Sequence, residues 1–222
     1  MPLIGDKERE ALSKEFGQKL VHDVKLVVFT QEVPCMFCKE TVGVAEELAG
    51  ISPKIRLEVH DFVKDQVKAN EYRIDKIPAM AVIGAKDYGI RFYGIPSGYE
   101  FSALVGSIID VSRGESGLSQ KSKELLRGVD KAVRIQTFVL PTCPYCPSAV
   151  RLAHRLAIES DMIWSEAIET NEFVPLAQKY GVMSVPKTVI NERFEVVGAV
   201  SEQLLVQQVL QAIAHQEPLQ PR

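Results

Sequence analysis

Apolar positions follow two alternating periods along this chain. Residues 25–30 and 133–140 are apolar-rich runs and read as strands. Each is preceded by a helical pattern, over 7–20 and 119–128, the second with Ser119 placed as an N-cap. Each is followed by a run with apolar residues three and four apart: Val44, Leu48 and Ile51, then Val150, Leu152, Ala153 and Leu156. Strands over 55–59 and 162–168 come next, then helices over 63–72 and 174–180, then the steps Ile77-Pro78 and Val185-Pro186. Hairpins follow (79–83 with 89–93, 187–190 with 195–197), and helices over 101–112 and 202–215 close each series. Strand–helix–strand followed by helix–hairpin–helix predicts an α/β fold with strands of mixed direction.

The pattern is a repeat. Cys35 and Cys143, Tyr72 and Tyr180, and Pro78 and Pro186 all stand 108 residues apart, as do Glu58 and Glu166. Upstream of the cysteines the offset is 109, matching Val24-Lys25-Leu26-Val27-Val28-Phe29 to Val133-Arg134-Ile135-Gln136-Thr137-Phe138. Gly94 and Gly198 differ by 104. The indels fall in expected loops, so the chain divides into residues 1–116 and 117–222, with Gly114-Glu115-Ser116-Gly117 as the linker. The tail after Glu217, with Pro218 and Pro221, is expected to fray.

Composition narrows the chemistry. The 222 residues are 46% hydrophobic and 25% charged, enough to build packed cores. A net charge of −3 excludes a broad nucleic-acid surface, and the basic-leaning stretch 121–134 reads as a solvated helix face. Neither a run long enough to span a membrane nor an apolar leader core in the first ten residues is visible, so the expected location is the cytoplasm. There, paired cysteines are catalytic or metal-binding more often than structural.

All four cysteines lie in two Cys-x-x-Cys pairs, Cys35/Cys38 and Cys143/Cys146. Each pair falls between a strand and a helix, so both thiols face one side at a helix N-terminus. The unpaired N–H groups there favour a thiolate, the nucleophile of disulfide exchange. Cys35 and Cys143 are assigned as attacking thiols, Cys38 and Cys146 as resolving thiols. Thr142 is placed to cap the second helix, and Pro147 fits its first turn.

Cys143-Pro144-Tyr145-Cys146 reads as a glutaredoxin-type site, and in each unit the apolar-residue–Pro step follows the first cysteine by 43 residues. On these residues each unit resembles the thioredoxin/glutaredoxin superfamily. The tandem arrangement resembles the glutaredoxin-like protein disulfide oxidoreductases of thermophilic bacteria and archaea over nearly the whole chain. The resemblance implies two tandem thioredoxin-like units, each a mixed central sheet flanked by helices. It implies that Pro78 and Pro186 are cis beside the cysteines, and that the backbone of Ile77 and Val185 pairs with an extended substrate segment. Gly94-Ile95-Pro96-Ser97 and Gly198-Ala199-Val200-Ser201 lack the Gly-Gly and nearby Asp with which glutaredoxins hold glutathione, so protein disulfides and dithiols are the expected partners. Electrons would come from a thioredoxin reductase-type donor, with no cofactor beyond the redox-active cysteine pairs.

Other residues are read conservatively. Glu58 and Glu166 are taken as solvent-facing strand carboxylates ahead of proton buffers for the resolving thiols. His22, His60, His154 and His215 are taken as surface or packing residues, Trp164 as core, and Tyr72 and Tyr180 as packing groups. Two rival functions stand beside exchange. One is a dithiol electron relay serving a peroxidase. The other is a Cys₄ zinc site, disfavoured because the pairs lie far apart in sequence and zinc gives no reason for the matched prolines.

Overall fold

The computed structural model describes residues 3–32 and 34–215, so the tail after Glu217 lies outside the described residues. The first half runs α1 (Asp6–Lys19), β1 (Val24–Thr30), α2 (Cys38–Ile51), β2 (Ile55–Asp61), α3 (Gln66–Glu71), β3 (Ala79–Ile83), β4 (Ile90–Tyr93) and α4 (Glu100–Arg113). The second repeats it with α5 (Gln120–Leu126), β5 (Val133–Val139), α6 (Cys146–Glu159), β6 (Ile163–Glu169), α7 (Val174–Lys179), β7 (Lys187–Ile190), β8 (Phe194–Val197) and α8 (Glu202–Ala214). Ser119 caps α5 as expected, its Oγ accepting from Ser122 N. α3 is shorter than the pattern predicts. The Asp61 carboxylate accepts from Val63 N and Lys64 N at 3.0 and 2.8 Å and holds those residues in a turn.

The strands form one sheet of eight, in the order β2-β1-β3-β4-β6-β5-β7-β8. Within each half the hairpin strand β3 or β7 runs antiparallel to β1 or β5, while β1 pairs parallel with β2 and β5 with β6. The halves meet at a parallel seam, β4 against β6, with Phe92 opposite Ala167. The sequence implies two sheets; the seam merges them. It places β4 and β6 in the interior, whereas β2, the repeat mate of β6, remains an edge strand.

The seam is built for close approach. Gly89 and Gly94 bracket β4 with φ of +77° and +90°, a region that favours glycine. A Cβ at Gly89 would fall 2.9 Å from the Trp164 ring, and one at Gly94 would fall 2.6 Å from Glu169 Cβ. A large core on one sheet face runs through both halves, including Leu26, Phe92, Ile108, Ile135, Val150 and Val206. A smaller one on the other face holds Phe29, Tyr72, Tyr93, Phe138, Ile168 and Tyr180. The tyrosines pack, as expected: Tyr72 lies 5.9 Å from Phe29, and Tyr180 lies 5.7 Å from Phe138.

Two sequence readings are corrected at the seam. Trp164 is half-buried rather than core, with the guanidinium groups of Arg91 and Arg73 at 4.2 and 5.0 Å from its ring. Glu166 is buried, not solvent-facing: Arg134 Nε and Gln136 Nε2 donate to it at 2.8 and 3.0 Å. Glu166 is covered because it pairs with Arg91 of β4, whereas Trp164 stands just before the first β4–β6 pair, Ile90 with Ser165, and keeps part of its surface open. Glu58, on the edge strand β2, is half-buried and pairs with Lys25 at 3.1 Å.

Candidate active site

Both cysteine pairs sit where a buried parallel strand hands over to a helix. α2 starts at Cys38 and α6 at Cys146, so the second cysteine of each pair opens the helix and the first stands just ahead of it. Both pairs are closed as disulfides, with Cα–Cα distances of 5.5 Å. Pro147 fits the first turn of α6, where a missing N–H costs little. Thr142 does not cap α6. The N-cap is Tyr145, with no side-chain capping bond, because the helix begins too far downstream for the Thr142 hydroxyl.

Accessibility separates the two cysteines of each pair. Cys35 is half-buried and Cys38 is 3% exposed; Cys143 is 8% exposed and Cys146 is fully buried. The spacers are open, with Met36 and Tyr145 exposed. The geometry thus offers the first sulfur to a partner and withholds the second.

Both Ile77-Pro78 and Val185-Pro186 are cis. Pro78 and Pro186 are buried, while Ile77 and Val185 are half-buried. In the second half the proline step faces the cysteines directly: Cys143 Sγ lies 3.7 Å from the Val185 carbonyl oxygen. β1 and β5 run in the same direction, so both pairs lie along one edge of the sheet, four strand spacings or about 19 Å apart. Four sulfurs so arranged cannot converge on one zinc ion, whose Zn–S bonds are about 2.3 Å long.

Sequence reasoning missed a buried acid at the start of α4, the helix fastened to the loop before Cys143. Glu100 opens α4 and is buried, and neither carboxylate oxygen has a protein partner. Burial pushes its carboxyl up to about 8. Tyr99 N donates to Pro141 O at 2.9 Å, which fastens the start of α4 to the loop that carries Cys143. Glu169, at the end of β6, is also buried with Oε1 unpartnered, and burial raises its carboxyl too. In the sequence Glu100 reads as an ordinary acid in a first helical turn. The local signal available was Gly98-Tyr99-Glu100, which has no counterpart in the second half.

The histidine readings hold best for His154, which is buried, bonds Ser107 Oγ through Nδ1 at 2.9 Å and meets the edge of Phe92. Burial holds it down to about 3 and hence neutral. Among the described residues no group of three or more His, Cys, Asp or Glu is arranged to hold a metal, and no helix is long and apolar enough to cross a membrane.

Comparison with known proteins agrees with this geometry. Residues 133–211 match the thioredoxin domain family. The F component of alkyl hydroperoxide reductase in Pseudomonas aeruginosa is 26% identical over 69% of this chain, which spans 27% of that relative's length. The N-terminal domain of the corresponding component in Enterococcus faecalis superposes with a TM-score of 0.86 at 26% identity, covering 93% of this chain and 99% of that one. A protein disulfide oxidoreductase from Aeropyrum pernix superposes with a TM-score of 0.89 at 33% identity, covering 97% of this chain and 96% of that one. Since that last likeness takes in both halves end to end, the chain belongs to the protein disulfide oxidoreductase family of tandem thioredoxin-fold proteins.

Proposed function

We propose that this chain catalyses reversible dithiol–disulfide exchange on protein substrates, through Cys143/Cys146 first and Cys35/Cys38 second. The observation that carries the reading is the meeting of Cys143 Sγ with the carbonyl of the cis Val185-Pro186 step, 3.7 Å away, at the N-terminus of α6. The helix end favours a Cys143 thiolate. That thiolate attacks a substrate disulfide, forming a mixed disulfide and releasing one substrate thiolate, which takes up a proton. Cys146 then loses its proton and attacks Cys143 Sγ. The mixed S–S bond breaks, the second substrate thiol leaves, and the pair closes as a disulfide. Substrate backbone pairing at Val185 and Ile77 would hold the chain extended beside each pair.

Regeneration requires a dithiol donor, and a reductase of the thioredoxin reductase type in the cytoplasm is the proposed source. The test is insulin disulfide reduction driven by dithiothreitol. Wild type is expected to turn over well above the dithiothreitol background, and Cys143→Ser to fall to it. If Cys35→Ser is the inactive variant instead, the ranking of the pairs is reversed.

The likeness to the alkyl hydroperoxide reductase components favours a second reading, an electron relay to a peroxidase. It uses the same cysteines. Poor insulin turnover with rapid exchange toward an oxidised peroxidase dithiol would select it.

A further inference from the structure

The loop that leaves β4, residues 94–99, crosses from the first half of the chain onto the second. Ile95 N donates to Glu172 Oε1 at 2.6 Å, on the turn after β6. Farther on, Tyr99 N donates to Pro141 O at 2.9 Å, on the loop that leads from β5 to Cys143. The approach is close: Gly98 has φ +58°, and a Cβ there would overlap the Pro141 carbonyl oxygen. Cys143 N donates back to Leu140 O at 3.0 Å, so a tight turn carries both Pro141 and the cysteine. Two residues separate them, at most about 7 Å between Cα atoms. Tyr99 is nonetheless open, 53% exposed, with its carbonyl oxygen accepting from Ser102 Oγ at 2.7 Å. Tyr145, between the two cysteines, is exposed as well. Two open tyrosines therefore border the Cys143 turn, one from each half.

We propose that the second cysteine pair has a composite substrate surface, in which Tyr99 of the first half contacts the polypeptide that flanks the substrate cysteine. This rests on the exchange reading and names the substrate that suits it: an extended chain with apolar or aromatic side chains two to four residues from its cysteine. Such a chain advances about 3.3 Å per residue, so those positions lie about 7–13 Å from the attacked sulfur, a span that takes in Tyr99. Tyrosine rings give broad contact area at little cost in side-chain entropy and accept varied sequences. The first pair lacks this neighbour for a topological reason. Beyond β5 and β6 the sheet continues into β4 of the other half, whereas beyond their mates β1 and β2 it ends. The loop matching 94–99, residues 198–203, leaves the opposite edge strand β8 and carries Gln203 in the place of Tyr99. It is tied back to its own half, Glu202 Oε1 accepting from Ser119 N at 3.0 Å. The seam thus gives the second site a wall that duplication did not.

In full-length protein carrying Cys35→Ser and Cys38→Ser, only the second pair exchanges. There Tyr99→Ala is expected to raise KM for insulin about fivefold or more with kcat held, and Tyr99→Phe to restore the parent KM. An unchanged KM in Tyr99→Ala overturns the contact. So does a matching fall in the rate at which dithiothreitol alone opens the Cys143–Cys146 disulfide, which would make Tyr99 a prop for the cysteine turn. A second measurement needs no turnover. With Cys146→Ser added, the Cys143 thiolate attacks a short peptide whose single cysteine is disulfide-bonded to thionitrobenzoate; the peptide–Cys143 disulfide forms and thionitrobenzoate leaves as the thiolate. Overhauser contacts from the Tyr99 ring protons to peptide residues two to four from that cysteine are expected, and their absence overturns the proposal. Such contacts in a protein whose parent fails to turn over insulin would sink the exchange reading and leave the composite surface standing.

Discussion

At the residue scale, two buried titratable groups set the pH limits of stability from opposite sides. Glu100 has a folded value raised to about 8, so its protonated form is preferred in the folded chain. Its contribution is complete below the unfolded carboxyl value of about 4.3 and is lost as pH rises toward the folded one. His154 has a folded value lowered to about 3. The unfolded imidazole binds a proton below about 6.5, so stability falls as pH drops through that value toward the folded one. Thermal melting of the oxidised protein should therefore show both an acid and an alkaline decline. Glu100→Gln is expected to flatten the alkaline one and leave the acid one in place; an unaltered alkaline decline would show that Glu100 is not the group responsible. The cysteines and prolines were legible because their spacing is a local property repeated in both halves. Glu100 was not, because its burial comes from residues distant in the chain.

At the scale of elements, caps and turns behave as local sequence dictates. Ser119 satisfies the first turn of α5 and also bonds Glu202 at 2.6 Å, tying α5 to α8. Ser119→Ala should cost about 1 kcal/mol in urea denaturation. Two left-handed glycines give a sharper contrast. Gly181 has φ +54° with open space around it, while Gly89 has φ +77° and would drive a Cβ into Trp164. Gly181→Ala should cost backbone strain alone, about 1 kcal/mol, and Gly89→Ala distinctly more. Equal losses would mean that the seam gives way without penalty. The helix and strand order was readable from periodicity, and α3 fell short because the Asp61 side chain competes for the backbone that would have continued it.

At the scale of the molecule, sheet and core both cross the seam, so the two halves are expected to unfold together. Trp164, the lone tryptophan, lies at the end of the seam against Gly89 and Arg91 and reports on it. Its fluorescence and far-ultraviolet circular dichroism should give coincident urea transitions; separate midpoints would mean that the halves melt independently. Arg134 bridges Glu166 of its own half to Asp75 of the other, at 2.8 and 3.2 Å. Arg134→Met should lower stability by about 1–3 kcal/mol, less than for a fully buried pair because the arginine is partly exposed.

The sequence alone determined the duplicated element order, the two cysteine pairs at their helix starts and the matched proline steps. Those follow from local periodicity and short-range chemistry, which a repeat displays twice. Tertiary structure alone decided that β4 joins β6, and with it the burial of Glu166 and Glu169, and it decided the burial of Glu100 as well. The physical reason is that a strand's own sequence reads the same at a sheet edge as at its centre. Which of the two it occupies depends on the partner that covers it, and only folding chooses that partner.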